Sequence, residues 1–327
     1  MSVGFFTPSA ILTLHADGLE NLEVMLHVIQ GYGEELPPAC QNTCQDAWSV
    51  FDTFLSKYSA NYDLSERVTR VLRRGIDLFN NKSLLPVATS VLARMFFGFE
   101  STGYPSFLWI AGKIVGRFGH EDDSNFRNSV KELFERSTNK VASLLQVKTP
   151  GEIPDGELFH PYLNILIKGD FFPVLEDYIQ MLLQFVSLAP DILFVSSGFP
   201  LAFRAAMTGL TVVHTDIIYA ALDFFRVVLT HDCLEPQAVS SPKFSIYAKA
   251  IHDAVSANGL TLVACILNGL VGDFPEEAIP TIVSILRMFA YIWPTQLLAW
   301  LPQALEQLPP QSVPIQAKTQ FLSEVSA

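Results

Sequence analysis

The sequence has little charge and few cysteines. Only 17% of its 327 residues are charged and 50% are hydrophobic, whereas an average soluble domain carries about 25% charged residues. The chain must therefore bury a large apolar core, which excludes disorder. Its four cysteines are too sparse for a disulfide framework, which favours a reducing compartment. No lysine or arginine precedes Lys57, so the basic start of a signal or transit peptide is missing, and we expect an intracellular protein.

Basic residues are in the minority along the whole chain. Lysine and arginine together number 21, against 33 aspartates and glutamates, which gives a net charge of −12. A protein that coats nucleic acid by neutralising phosphates needs the opposite balance, so we predict no direct nucleic-acid partner. An acidic protein is better suited to basic polypeptides.

Two long stretches, 254–272 and 288–305, carry no charge and raise the possibility of a membrane segment. The first is interrupted by polar residues such as Asn258, and the second contains Pro294 and Pro302. A spanning helix of about 20 residues tolerates such prolines only with special support. We therefore predict no membrane insertion.

Catalytic and metal-binding motifs are absent. The sequence has no glycine-rich phosphate loop, no Gly-x-Ser-x-Gly turn and no paired Cys-x-x-Cys. Cys40 and Cys44 lie one helical turn apart, but a structural zinc needs two further ligands, so packing cysteines are favoured. The triplet His231, Asp232 and Cys233 lies at a helix end, and adjacent residues point in different directions. We predict no enzyme, no catalytic residue, no metal and no cofactor.

The hydrophobic pattern is helical almost throughout. Apolar residues recur at spacings of three and four, and no sustained alternation of apolar and polar residues occurs, which predicts an all-α chain. The predicted helices lie near 17–30, 40–58, 63–79, 84–98, 105–118, 122–146, 173–188, 198–211, 214–231, 243–257, 258–271, 276–292 and 295–307.

The spacing of these helices predicts a repeat. Starts at 63, 105, 173, 214 and 258 are separated by 42, 68, 41 and 44 residues, close to the ~40 to 47 period of two-helix HEAT repeats except for one interval. That interval contains the long helix 122–146 and the loop 148–156, consistent with an insertion. We predict a right-handed α-solenoid of HEAT-type helix pairs over 17–327, with 1–16 as an unassigned N-terminal extension. A closed helix bundle is the alternative.

One charged cluster stands out from this pattern. Four of the eleven arginines fall within eight residues of the predicted helix 63–79: Arg67, Arg70, Arg73 and Arg74. At about 100° per residue they span an arc of about 120°, opposite an apolar face. That apolar face consists of Val68, Leu72, Ile76 and Phe79.

Two interpretations of this arginine stripe are open. The first is a solvated helix face, with weak pairs such as Glu66 to Arg70 and Arg73 to Asp77. The second is a binding surface, since residues 1–56 contain seven acidic groups and no basic one. A basic stripe beside an acidic region suits a ligand that alternates positive charge with phosphate, because arginine binds phosphate oxygens bidentately while carboxylates bind the ligand's arginines.

The stripe also carries a family resemblance. The stretch Ser65–Gly75 resembles the arginine-rich helix of transportin-SR, the importin-β superfamily receptor that carries serine/arginine-rich splicing factors and related RNA-binding proteins into the nucleus. The resemblance covers about residues 20–327 and is closest to the fungal branch of the family. Further segments match the family in the same order: 38–41, 46–48, 105–119, 294–300 and 305–309.

The resemblance implies a function. It implies the C-terminal, cargo-binding part of a nuclear import receptor that shuttles between nucleus and cytoplasm and contacts FG-repeat nucleoporins. Arg67, Arg70 and Arg73 fall on arginine positions that bind the phosphorylated arginine/serine region of cargo, and Arg74 is an additional basic residue. Asp63 stands where the family has another arginine.

The resemblance also has a limit and an alternative. The family's N-terminal repeats, which bind the GTPase Ran, have no counterpart in this sequence. The alternative function is a HEAT-repeat scaffold or regulatory subunit of a protein complex with no transport role.

Overall fold

The computed structural model describes residues 8–28, 38–145, 171–235, 241–309 and 313–325. All regular secondary structure in these ranges is helical, as the hydrophobic pattern predicts. The fourteen α-helices in them are α1 (Pro8–Val28), α2 (Pro38–Tyr58), α3 (Tyr62–Leu78), α4 (Asn81–Thr102), α5 (Pro105–Phe118), α6 (Ser124–Leu144), α7 (Phe172–Leu188), α8 (Pro190–Leu193), α9 (Phe199–Thr208), α10 (Thr215–Leu229), α11 (Pro242–Val271), α12 (Ile279–Ile292), α13 (Pro294–Glu306) and α14 (Ile315–Val325). Short 3-10 helices are formed by Asp232–Leu234 and Glu276–Ala278.

The first compact unit, Met1–Ser137, is built from two layers of helices. Helices α1, α3 and α5 pack side by side in one layer, and α2 packs on α4 in the other. Helices α1, α2 and α3 therefore each contact the next helix but one in the chain, while α2 contacts α3 and α4 contacts α5. This is the arrangement that stacked helix pairs produce.

Local signals in the sequence position these helices. The Asn61 side chain accepts a hydrogen bond from the Leu64 N–H (3.1 Å) and caps α3, and Asn80 caps α4 in the same way. Helix α4 ends at Gly103, whose φ of 74° lies in the left-handed region that glycine adopts without strain. Pro105 then starts α5, where its missing N–H costs nothing. The turns between the helices are short as a result.

The second compact unit, Thr138–Ala327, repeats the two-layer pattern. Helices α7, α10 and α12 form one layer, and α9, α11 and α13 form the other. The short helix α8 contacts α7 and α11, and α14 packs on α13. Its core is rich in aromatic side chains that are fully buried: Tyr178, Phe185, Phe199, Phe203, Phe224, Phe225 and Tyr247.

Helix α11 corrects one prediction. Residues 243–257 and 258–271 do not form two helices but one continuous helix of 30 residues. The sequence Asn258-Gly259 predicts a break, yet Gly259 lies inside the helix. The indole of Trp300 on α13 packs where a Cβ of residue 259 would lie, which explains why this residue is glycine. Glycine here serves a close helix contact, and the predicted repeat start at 258 does not exist.

Helix α11 also bears on the membrane question. By length and composition it could cross a bilayer, with a mean hydropathy of 1.7 over its most apolar stretch. Half of that stretch is buried inside the protein, where α11 packs on α9 and α13. A core helix of this length passes the same test.

Two further segments differ from the prediction, and a third lies outside the described residues. Helix α1 starts at Pro8, so most of the extension that the sequence analysis leaves unassigned is helical. Helix α14 was not predicted at all. The loop 148–156, predicted as an insertion, lies outside the described residues.

Candidate functional site

Helix α3 carries the arginine stripe and lies between α1 and α5 in the first unit. Its boundaries confirm the predicted helix 63–79 to within one residue. Val68 and Ile76 of the predicted apolar face are buried, while Leu72 and Phe79 are half-buried. The burial of this face directs the arginines away from the core.

Arg67 is held by α1. Its Nη1 donates a hydrogen bond to Glu20 Oε2 (2.7 Å) and a longer one to the Ala16 carbonyl (3.4 Å). The hydrogen bond to Glu20 raises the pKa of Arg67 above its ordinary value. The Arg67 side chain keeps 32% of its surface exposed, so it is anchored but not sealed from solvent.

Arg70 and Arg74 line the same side of α3. Arg70 is exposed and Arg74 is half-buried, and neither forms an ion pair with the residues that the structure describes. Together with Arg67 they border a groove of about 530 Å³ between α1 and α3, which we call the charged groove. Its full lining is Glu20, Glu23, Val24, Tyr62, Asp63, Glu66, Arg67, Arg70 and Arg74.

Arg73 points to the other neighbour of α3. Its guanidinium carbon lies 4.1 Å from the centroid of the Trp109 ring on α5, and Lys113 Nζ lies 4.9 Å from the same centroid. Both distances are typical of cation–π contacts. The stripe predicted from the sequence therefore divides: three arginines line the charged groove, and Arg73 packs on Trp109 of α5.

The charged groove contains both signs of charge. Three guanidinium groups meet four carboxylates, which gives a formal charge of 3 − 4 = −1. The predicted acidic partner region is confirmed in part, because Glu20 and Glu23 come from the acidic N-terminal stretch. The pairing of Arg67 with Glu20 could not be predicted from spacing, since 47 residues separate the two.

The residues considered for chemistry are placed as packing groups. Burial raises the pKa of the Cys233 thiol to about 12, so it carries almost no reactive thiolate at neutral pH. His231 Nδ1 accepts a hydrogen bond from the Cys233 backbone N–H (3.2 Å), so this nitrogen is engaged by the main chain. Cys44 is buried as well, and the side chain of Cys40 lies outside the described residues.

A different cluster was not predicted from the sequence. Glu176, His214 and Asp216 place ligand atoms within 4.8 Å of one another, a donor set that a metal ion accepts. His214 and Asp216 lie at the start of α10, where the positive end of the helix dipole opposes a bound cation. Glu176 is 38 residues away from His214, so no local motif signals the cluster.

Comparison with known proteins finds similarity over the part of the chain that contains α3. The family model of the transportin-3/importin-13 fourth TPR domain matches residues 38–144, which is α2 to α6 and includes α3. Transportin MOS14 of Arabidopsis thaliana is 17% identical over 292 residues, which covers 89% of this chain. Over these residues the chain is therefore similar to proteins of the transportin and importin type.

The importin-like comparison extends to the fold. A solved structure, importin-13 in its cytosolic state, aligns over 98% of this chain with a TM-score of 0.64 and 12% sequence identity. This likeness confirms the predicted all-α solenoid.

The relatives found by these comparisons are much longer than this chain. An uncharacterized protein of Schizosaccharomyces pombe is 23% identical over 321 residues, covering 95% of this chain and 31% of that protein. The corresponding shares are 28% for transportin MOS14 and 33% for the importin-13 structure. The chain therefore spans about a third of the length of these relatives.

Proposed function

We propose that this chain is the cargo-binding part of a nuclear import receptor of the transportin-SR type, from the fungal branch of that family. Its cargo is a serine/arginine-rich or other RNA-binding protein. In the whole receptor it shuttles between nucleus and cytoplasm, with FG-repeat nucleoporins and Ran as partners. The similarity to transportin and importin proteins supports this assignment.

The observation that carries the proposal is the charged groove. Arg70 is exposed there, with Arg67 and Arg74 beside it and carboxylates of α1 opposite. A phosphoserine binds to a guanidinium by charge-assisted hydrogen bonds, and the arginine that follows it in cargo pairs with a carboxylate. Arg73, turned toward α5, extends the cationic surface beyond the groove.

The competing function is a HEAT-repeat scaffold or regulatory subunit with no transport role. In such a protein the arginines serve only to join neighbouring helices. The Arg67–Glu20 pair and the Arg73–Trp109 contact fit that role, but exposed Arg70 does not. Binding of a phosphorylated ligand distinguishes the two functions.

The proposal predicts binding of a phosphorylated arginine/serine peptide. We expect fluorescence anisotropy with labelled peptide to show saturable binding that weakens several-fold between 50 and 300 mM salt, because screening shortens the range of charge interactions. The unphosphorylated peptide should bind more weakly, since it offers no group for the arginine forks. Equal binding of the two peptides, or none of either, favours the scaffold.

A further inference from the structure

The ion pair between α1 and α3 places a carboxylate on one of the arginines assigned to cargo. Glu20 Oε2 lies 2.7 Å from Arg67 Nη1, and the Ala16 carbonyl, one turn earlier on α1, takes a second contact from the same nitrogen. The Glu20 side chain is 61% exposed. An anion that approaches Arg67 through the groove therefore meets a guanidinium whose Nη1 is already paired and which solvent still reaches.

The remaining charges of the charged groove act in the same direction. Glu23, Asp63 and Glu66 also line it, so carboxylates outnumber guanidinium groups by four to three. A segment that carries only negative charge competes with Glu20 for Arg67 and lies close to all four carboxylates. A segment with its own arginines instead pairs with the carboxylate that it displaces, which offsets both costs.

We infer that Glu20 is a specificity-determining residue that masks Arg67 against purely anionic ligands. It admits segments that alternate positive charge with phosphate, and it rejects polyanions such as acidic peptides. The inference rests on the proposed function for the identity of the ligand. Specificity here arises from a repulsive group as well as from attractive ones.

The test compares Glu20→Gln with Glu23→Gln. Both variants remove one negative charge from the same groove, but among the described contacts Glu20 alone pairs with Arg67. Two labelled peptides of equal length serve as probes: one alternates arginine with phosphoserine, and the other alternates glycine with phosphoserine. Affinities are measured by fluorescence anisotropy, and circular dichroism confirms that each variant is folded.

We expect Glu20→Gln to strengthen binding of the glycine/phosphoserine probe by on the order of three- to tenfold, the range of an exposed ion pair and one further repulsion. Glu23→Gln should strengthen it by less than about twofold. Binding of the arginine/phosphoserine probe should change little in either variant. Removal of a carboxylate reduces repulsion of the phosphates, but the probe's arginines lose a partner, and the two effects offset each other.

Two results overturn the inference: no gain for the glycine/phosphoserine probe in Glu20→Gln, or equal gains in the two variants. The proposed function fails separately, when the wild-type chain does not bind the arginine/phosphoserine probe. In that case a selective gain in Glu20→Gln still shows that Glu20 masks Arg67 against anions.

Discussion

Single residues in this chain are constrained by partners far away in the sequence. Gly259 is the clearest case, because the Trp300 indole on α13 occupies the space where a side chain would begin. Gly18 on α1 is the opposite case, since a Cβ added there meets nothing within 4 Å. Both are helical glycines, so they form a matched pair.

We predict opposite effects of alanine at these two glycines. Gly259→Ala should lower the free energy of unfolding by roughly 1 to 3 kcal/mol, the usual range for overpacking, even after the gain in helix propensity. Gly18→Ala should raise it by roughly 0.5 to 1 kcal/mol, because only the propensity term acts. Urea unfolding followed by circular dichroism measures both. Stabilisation by Gly259→Ala would show that the contact with Trp300 is not tight.

At the scale of helices, the account of α3 follows largely from the sequence. The helix itself and its apolar face are local properties of 63–79, and the structure confirms both, while the cap at Asn61 was not predicted. Tertiary contacts divide the stripe, because Arg67 pairs with Glu20 of α1 and Arg73 stacks on Trp109 of α5. No spacing rule connects these residues.

The wrong prediction of two helices in place of α11 also arises from a tertiary contact. Asn-Gly is a strong break signal because it favours turns. Inside α11 the Asn258 side chain instead donates a hydrogen bond to the Ala254 carbonyl (2.8 Å), and Gly259 accommodates Trp300. Both residues are therefore compatible with a continuous helix. The position of α13 explains why residue 259 is glycine, and it cannot be predicted from the local sequence.

The joint between α10 and α11 contains a titrating residue. The His231 ring contacts Phe194, Phe244 and Tyr247, and its Nδ1 accepts the Cys233 N–H. Burial lowers the pKa of His231 below its ordinary 6.5, with Asp232 acting against the shift. The neutral ring is therefore the form that this packing requires.

We predict that this joint makes the protein less stable in mild acid. The unfolded chain takes up the His231 proton at a higher pH than the folded one, so the free energy of unfolding falls as pH drops through about 6.5. Urea titrations between pH 7.5 and 5.5 should show a shallower fall for His231→Gln than for the wild type. Burial lowers the pKa of His252 as well, so part of the fall remains in that variant. Parallel pH profiles would exclude His231 as a contributor.

At the scale of the whole molecule, the two-layer order of helices was predictable and its assignment to a function was not. Helical periodicity and spacings of 41 and 42 residues between helix starts indicate stacked pairs, and the likeness to importin-13 confirms a solenoid. Function depends on which charges meet across helices. Composition indicates a bipolar region, but the groove itself arises only when α1 packs on α3.

The proposed function requires that the α3 arginines bind phosphorylated cargo. The most direct measurement is a titration of the phosphorylated arginine/serine peptide into three proteins: the wild type, a triple alanine variant at Arg67, Arg70 and Arg73, and a control. The control removes three exposed cations elsewhere: Lys82, Lys249 and Arg287. Circular dichroism melts accompany each titration.

We expect the α3 variant to lose at least about a hundredfold in affinity, because each charge-assisted hydrogen bond contributes on the order of 1.5 to 3 kcal/mol. The control should lose only the small amount that net charge accounts for, and the melting of the α3 variant should change little, since alanine is a strong helix former. Equal affinities of the α3 variant and the control would contradict the claim. A large fall in the melting temperature of the α3 variant would show that these arginines hold the helices together instead.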